Sequence, residues 1–213
     1  MTVIYDSRRR AAEARVRRTA GDRAVLRSTA RLAVADVDTN TALTRLAGRA
    51  VSYTTLATRF WYRLRIGEGS FDKSIKESAQ SLPLLLFHDM ESFPIGRAVE
   101  WDSRPSDGLW GVWALDDHPD AQRAARLARD GHMTGLSVGF EYLRSTWEEP
   151  SDAADWDPDD MLTWETRTLH EGRLLETSLL PAAAMPDAHV TEVLSHAKGT
   201  PELDRWKAWR ASL

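Results

Sequence analysis

The chain has 213 residues, 42% of them apolar, which suits one domain with a single core and some appended structure. It contains no cysteine, which excludes disulfides, thiolate metal sites and cysteine nucleophiles. Net charge is −4, no apolar run reaches the roughly 20 residues that span a bilayer, and the polar N-terminus lacks a secretory core, so neither a nucleic-acid nor a membrane partner is expected.

Residues 1–42 read as a basic arm: positions 1–35 hold nine arginines against three acids. Its Ala, Arg and Leu content predicts helix over most of 7–35, interrupted near Gly21, with a thin apolar stripe. The plain reading is a solvated arm. A nucleic-acid-binding arm and a docking segment that is later trimmed are the sharper ones, and the sequence does not separate those two.

Residues 43–197 read as the main domain. Leu46–Tyr53 and Trp61–Ile66 are expected strands, followed by a turn at Gly67-Glu68-Gly69 and a short helix capped by Ser70 and running to Ser78. Leu82–Phe87 is an apolar run suited to a strand buried on both faces, and it ends at His88. Ile95–Trp101 and Leu109–Leu115 flank a polar turn and read as a hairpin. Asp116-Asp117-His118-Pro119 starts a helix with an acidic cap, and Gly131 stops it. Leu136–Leu143 alternates as a strand, and residues 148–160 form a loop with seven acids and no base. Leu162–Leu169 and Arg173–Leu180 read as a second hairpin turning at Glu171-Gly172, and Ala188–Ala197 as a short helix. Residues 198–213, with Trp206 and Trp209, form a tail expected to be helical and to pack on the body or on a partner. The texture is that of an α+β chain, a mostly antiparallel barrel or sandwich decorated by helices.

Gly135-Leu136-Ser137-Val138-Gly139 matches G-x-S-x-G. In an α/β hydrolase that elbow joins a strand to a following helix, and the acid and histidine come later. Here a helix precedes and a strand follows, and His170, His189 and His196 lack convincing settings, so that fold is rejected. A serine between glycines at a strand start is nonetheless open to substrate. Asp116, Asp117, His118 and Asp120 are explained by helix capping better than by a metal, and the acidic loop lacks the spacing of a calcium loop. No metal and no cofactor is expected.

An ordered set of segments carries more: Gly48-Arg49-Ala50-Val51, Gly69-Ser70-Phe71-Asp72, Leu84-Leu85-Leu86-Phe87-His88-Asp89, Pro94-Ile95-Gly96-Arg97, Gly135–Phe140 and Leu175-Glu176-Thr177-Ser178-Leu179-Leu180-Pro181. Over about residues 44–190 the chain resembles the tailed-phage prohead proteases, themselves similar in fold to the herpesvirus assembly proteases. The resemblance implies a β-barrel surrounded by helices, with Ser137 as nucleophile, His88 as general base and Glu176 as the acid orienting it. Asp89 is the competitor for that last role, although neighbours on an extended chain point to opposite sides. It also implies scaffold and major capsid proteins as substrates, often the protease itself, self-association, and action inside the assembling prohead in the host cytoplasm. Phe87 departs from a position the family often gives to a polar residue, Ser70 replaces a common alanine, and the acidic loop is an insertion. The rival reading is a non-catalytic capsid-assembly or scaffolding protein that keeps the fold.

Overall fold

A computed structural model describes residues 42–59, 61–78, 82–149 and 165–195. The expected arm helix, the acidic loop from residue 150 onward and the tail with Trp206 and Trp209 lie outside the described residues. Within them the protein is mostly β, with nine strands in one sheet and two helices. The strands are β1 (Leu43–Ser52), β2 (Ala57–Thr58), β3 (Arg63–Ile66), β4 (Pro83–Leu86), β5 (Gly96–Arg104), β6 (Gly108–Leu115), β7 (Gly135–Glu148), β8 (Thr166–Leu180) and β9 (Val190–Ser195). The helices are α1 (Asp72–Ser78) and α2 (Pro119–Arg129).

Most ladders are antiparallel, and β8 holds the sheet together. One of its edges pairs with β7 from Leu180 back to Thr166. Its other edge pairs in parallel with β3 through Thr166–Leu169 and with β4 through Thr177–Leu179. Between those two short partners the β3–β4 connection supplies the missing acceptors. The Gly172 amide donates to the Ser70 carbonyl at 2.9 Å and the Leu174 amide to the Ser74 hydroxyl at 3.0 Å. From β4 the sheet continues through β5, β6 and β1 to β9.

The hairpin expected at Glu171-Gly172 does not form, because β8 runs through both residues. Gly172 is there for space: a Cβ would stand 2.7 Å from the ring of Phe71, which is fully buried. Ser70 does not cap α1 either; its hydroxyl lies 2.9 Å from the Leu169 carbonyl and also meets that of Gly67. Residues 190–195 are a strand where a helix was expected. Val190 and Val193 are β-branched and pair with Gly48 and Leu46 of β1. The barrel expectation also needs correction, because the sheet is open, running from β2 to β9. β7 approaches β9 through a bridge, Gly135 to His189, with the Leu136 amide donating to the Ala188 carbonyl and the Val190 amide to that of Thr134.

Alternation along these strands sends Leu46, Leu64, Leu84, Leu109, Trp113, Leu136, Leu169 and Leu179 into one core. α2 buries Ala121, Ala124, Ala125 and Ala128, a stripe at helical spacing whose small side chains allow close approach to the sheet. His118, rather than an aspartate, is its N-cap, accepting from the Asp120 amide at 3.4 Å, while Asp116 accepts from the His118 amide at 2.8 Å. Gly131 follows the helix at φ +80, as its type predicts.

The loop between β8 and β9 is pinned to β1. Arg49 donates to the Asp187 carbonyl at 2.9 Å and pairs with the carboxylates of Asp107 and Asp187 at 2.6 and 3.2 Å. Ser52 and Thr55 donate to the Asp187 carboxylate at 2.9 and 2.7 Å. Burial opposes charge on Asp187, but the two hydroxyls and Arg49 outweigh it and hold the carboxyl below its usual range. Asp187→Asn is therefore expected to destabilise the protein by about 1–2 kcal/mol at pH 7. The folded carboxyl is the more acidic, so its contribution is complete above the unfolded value of about 3.9 and fades as pH falls through the folded value. Thermal unfolding of both proteins between neutral and acid pH checks this. Their Tm curves should converge toward acid; a constant gap would contradict the assignment.

Candidate active site

Two strands and a turn carry the residues singled out from the sequence. Ser137 lies on β7 opposite Ser178 of β8, and Gly139 lies opposite Glu176. Directly opposed residues present their side chains on one face, as do residues two apart on a strand. Ser137, Ser178 and Glu176 therefore share a face. Gly139 shows this directly, since a Cβ built on it would collide with the Glu176 carboxylate and stand 3.0 Å from its Cδ.

His88 reaches this face by a reversal of the chain. β4 ends at Leu86, level with Leu179, and the Asp89 amide closes a turn on the Leu86 carbonyl at 3.0 Å. Phe87 and His88 occupy its centre with φ of 58 and 60, the left-handed region that glycine and asparagine usually supply. The His88 amide donates to the Ser178 hydroxyl at 3.0 Å. The imidazole thus folds back over β8, with Nδ1 2.6 Å from Oε1 of Glu176. The other carboxylate oxygen, Oε2, accepts from the Ser178 hydroxyl at 2.7 Å.

Burial divides the roles of the pair. The Glu176 side chain is 3% exposed, whereas that of His88 is 41% exposed. A buried carboxylate needs donors, and here it has two. With an ionised Glu176 accepting on both oxygens, the hydrogen between Oε1 and the imidazole belongs to Nδ1 of His88. Nε2 keeps its lone pair and is the atom able to take up a proton.

The structure brings His88 and Glu176 into contact and sets half-buried Ser137 on the same face. Among the described residues the Ser137 hydroxyl makes no hydrogen bond. Asp89 turns away into a local turn, accepting from the Glu91 amide at 3.0 Å, with its own carbonyl receiving the Ser92 hydroxyl. Two contributors escaped the sequence reading. Ser178 stood inside the Leu-Glu-Thr-Ser-Leu block without a role, although its two-residue spacing from Glu176 on an alternating strand was the available signal. Gly139 stands in the sequence only as a glycine flanking the serine, but it makes room for the carboxylate. Gly135 likewise makes room for the chain leaving β8, where a Cβ would stand 2.6 Å from the Ala183 amide nitrogen.

The chain belongs to the caudovirus prohead serine protease family, whose model matches residues 30–202. The match spans all nine strands and both helices, and it makes the protein a member of a family of serine peptidases of phage capsid maturation. No curated protein matches the chain.

Gly139→Ala tests the packing under Glu176. The added methyl should destabilise the fold by about 1–3 kcal/mol and push the carboxylate off Nδ1. In proton NMR the low-field His88 Nδ1–H resonance, assigned by its loss in His88→Gln, should vanish in Gly139→Ala. Its persistence unchanged would show that the glycine does not serve Glu176.

Proposed function

We propose that the protein is a serine endopeptidase that cleaves scaffold and major capsid proteins inside the assembling phage head, in the host cytoplasm, through an acyl-enzyme on Ser137. The observation that carries this reading is the 2.6 Å contact between His88 Nδ1 and a buried Glu176, on the face that also presents Ser137.

In this reading Nε2 of His88 takes the Ser137 proton as Oγ attacks the scissile carbonyl carbon. Glu176 stabilises the imidazolium that forms. The tetrahedral intermediate collapses, the C–N bond breaks, and His88 passes its proton to the departing amine. Water, deprotonated in turn by Nε2, attacks the ester, and Ser137 recovers its proton as the acid product leaves. Asp89 has no part, since it faces its own turn. A serine nucleophile lying along a strand is the arrangement for which a kinship with the herpesvirus assembly proteases is proposed.

The backbone supports a polypeptide substrate in extended form. The Leu136 amide points away from β8 to the Ala188 carbonyl, so by alternation the amide and carbonyl of Val138 also face away from β8. Residues 188–190 end beside Thr134–Leu136, and among the described residues β7 has no partner on that edge beyond them. A substrate strand laid there would bring its backbone alongside Ser137. The N-terminal arm of the protein itself belongs among the proposed substrates.

Co-expression with the cognate scaffold and major capsid proteins tests the reading. Wild-type protein should yield shortened products, while Ser137→Ala should lose up to about 10⁶-fold in rate and His88→Ala a comparable factor. Glu176→Gln should lose about 10³- to 10⁴-fold, because Nδ1 is no longer held by a charge. Equal processing by wild type and Ser137→Ala would leave an assembly protein and no catalyst.

A further inference from the structure

Four groups at this site form a closed circuit. The His88 amide donates to Ser178 Oγ at 3.0 Å, Ser178 Oγ donates to Glu176 Oε2 at 2.7 Å, and Glu176 Oε1 meets Nδ1 of the same His88 at 2.6 Å. Ser178 is fully buried and lies between Ser137 on β7 and the level of Leu85 on β4. Its hydroxyl touches both the turn carrying the imidazole and the carboxylate beneath it.

From this circuit we propose that Ser178 is a positioning residue for the peptidase reaction, one that sets the carboxylate orientation and anchors the His88 turn with a single hydroxyl. The assignment rests on the peptidase reading given above. Two features show why such an anchor is needed. Phe87 and His88 hold left-handed backbone without being glycine, so the turn keeps this shape only if something outside it favours the shape. The amide of His88 finds its acceptor in Ser178. The carboxylate of Glu176, for its part, could rotate about its last bond were Oε2 left without a donor. The Ser178 hydroxyl fixes that rotation and so aims Oε1 at Nδ1.

Ser178 is not a second nucleophile. It has no exposed surface, and its only proton is committed to Glu176. Its influence on a substrate runs through His88 and then Ser137.

The rate at which a fluorophosphonate probe labels Ser137 measures activation of that hydroxyl without a peptide substrate. Ser178→Ala should slow labelling about 10- to 100-fold, the equivalent of one hydrogen bond to a charged group. It should also shift the low-field His88 Nδ1–H resonance. Ser178→Thr, which keeps the hydroxyl, should restore most of the rate if it folds. The decisive arm is a double-mutant cycle: in a Glu176→Ala background only the turn anchor remains to be lost, so Ser178→Ala should slow labelling by a clearly smaller factor than in the wild-type background. An unchanged rate and resonance in Ser178→Ala, or losses that simply multiply in the double mutant, would overturn the positioning role. Labelling that is as fast in Ser137→Ala as in wild type would instead overturn the peptidase reading itself, so the two failures are distinct.

Discussion

Glu176 has 3% of its side chain exposed, and a carboxylate in that position, left alone, would take up a proton or force its strand apart. Its neighbours answer that constraint one by one. Ser178 supplies a hydroxyl, His88 supplies Nδ1, and Gly139 withholds a side chain so that the carboxylate can lie flat against β7. A buried carboxylate is a poor source of stability even when it is hydrogen-bonded, since desolvation offsets most of what its partners return. Its use here is directional. The carboxylate fixes which nitrogen of His88 bears hydrogen, and with it which nitrogen stays free.

That arrangement depends on the unusual length of β8. One edge of the strand has a single partner over its whole length, while the other changes partner from β3 to β4, with the α1 segment filling the interval. Ser178 falls in the part that β4 joins and Glu176 one residue before it, next to a register shift in which Gly139 pairs with Glu176 but Phe140 with Leu174. The shift leaves Leu175 without a partner on β7 and 40% exposed, and a bulge of this kind re-aims the residues beside it. The strand thus delivers the acid, the anchor and the support for the histidine turn from within four consecutive residues. Fewer independent elements have to move into place than in a site assembled from three loops.

Much of this was legible in the sequence where local chemistry decides. The polar turn between β5 and β6, Pro119 at the first turn of α2, and Gly131 behind it each follow from one residue type in one backbone conformation. The errors arise where tertiary contact decides. Gly172 carries the same local signal as a hairpin glycine, and only the ring of Phe71, a hundred positions upstream by chain and adjacent in space, explains it. Residues 190–195 have a helix-compatible composition, but pairing with β1 makes them a strand. The left-handed turn at Phe87-His88 left no trace at all, because neither residue type favours it. The link between His88 and Glu176 spans 88 positions; it was reached through family resemblance, and no spacing rule would have produced it.

The pentapeptide around Ser137 shows how a motif can draw attention to a residue of the candidate site for a reason unlike its usual one. In a nucleophile elbow the glycines permit a strained turn that lifts the serine out of the sheet. Here Gly135 opens the strand and Gly139 lies within it beside the register shift, and neither has positive φ. Gly135 lets the chain leaving β8 pass close to β7, and Gly139 lets the Glu176 side chain do the same. Ser137 is left between these two close approaches, with its neighbour strand carrying the buried acid. What the glycines provide is therefore room for other elements, and a substitution at either would act on partners distant in sequence while leaving the strand itself intact. A serine so placed needs no strained backbone of its own, because the strain in this site resides in the turn that carries the histidine.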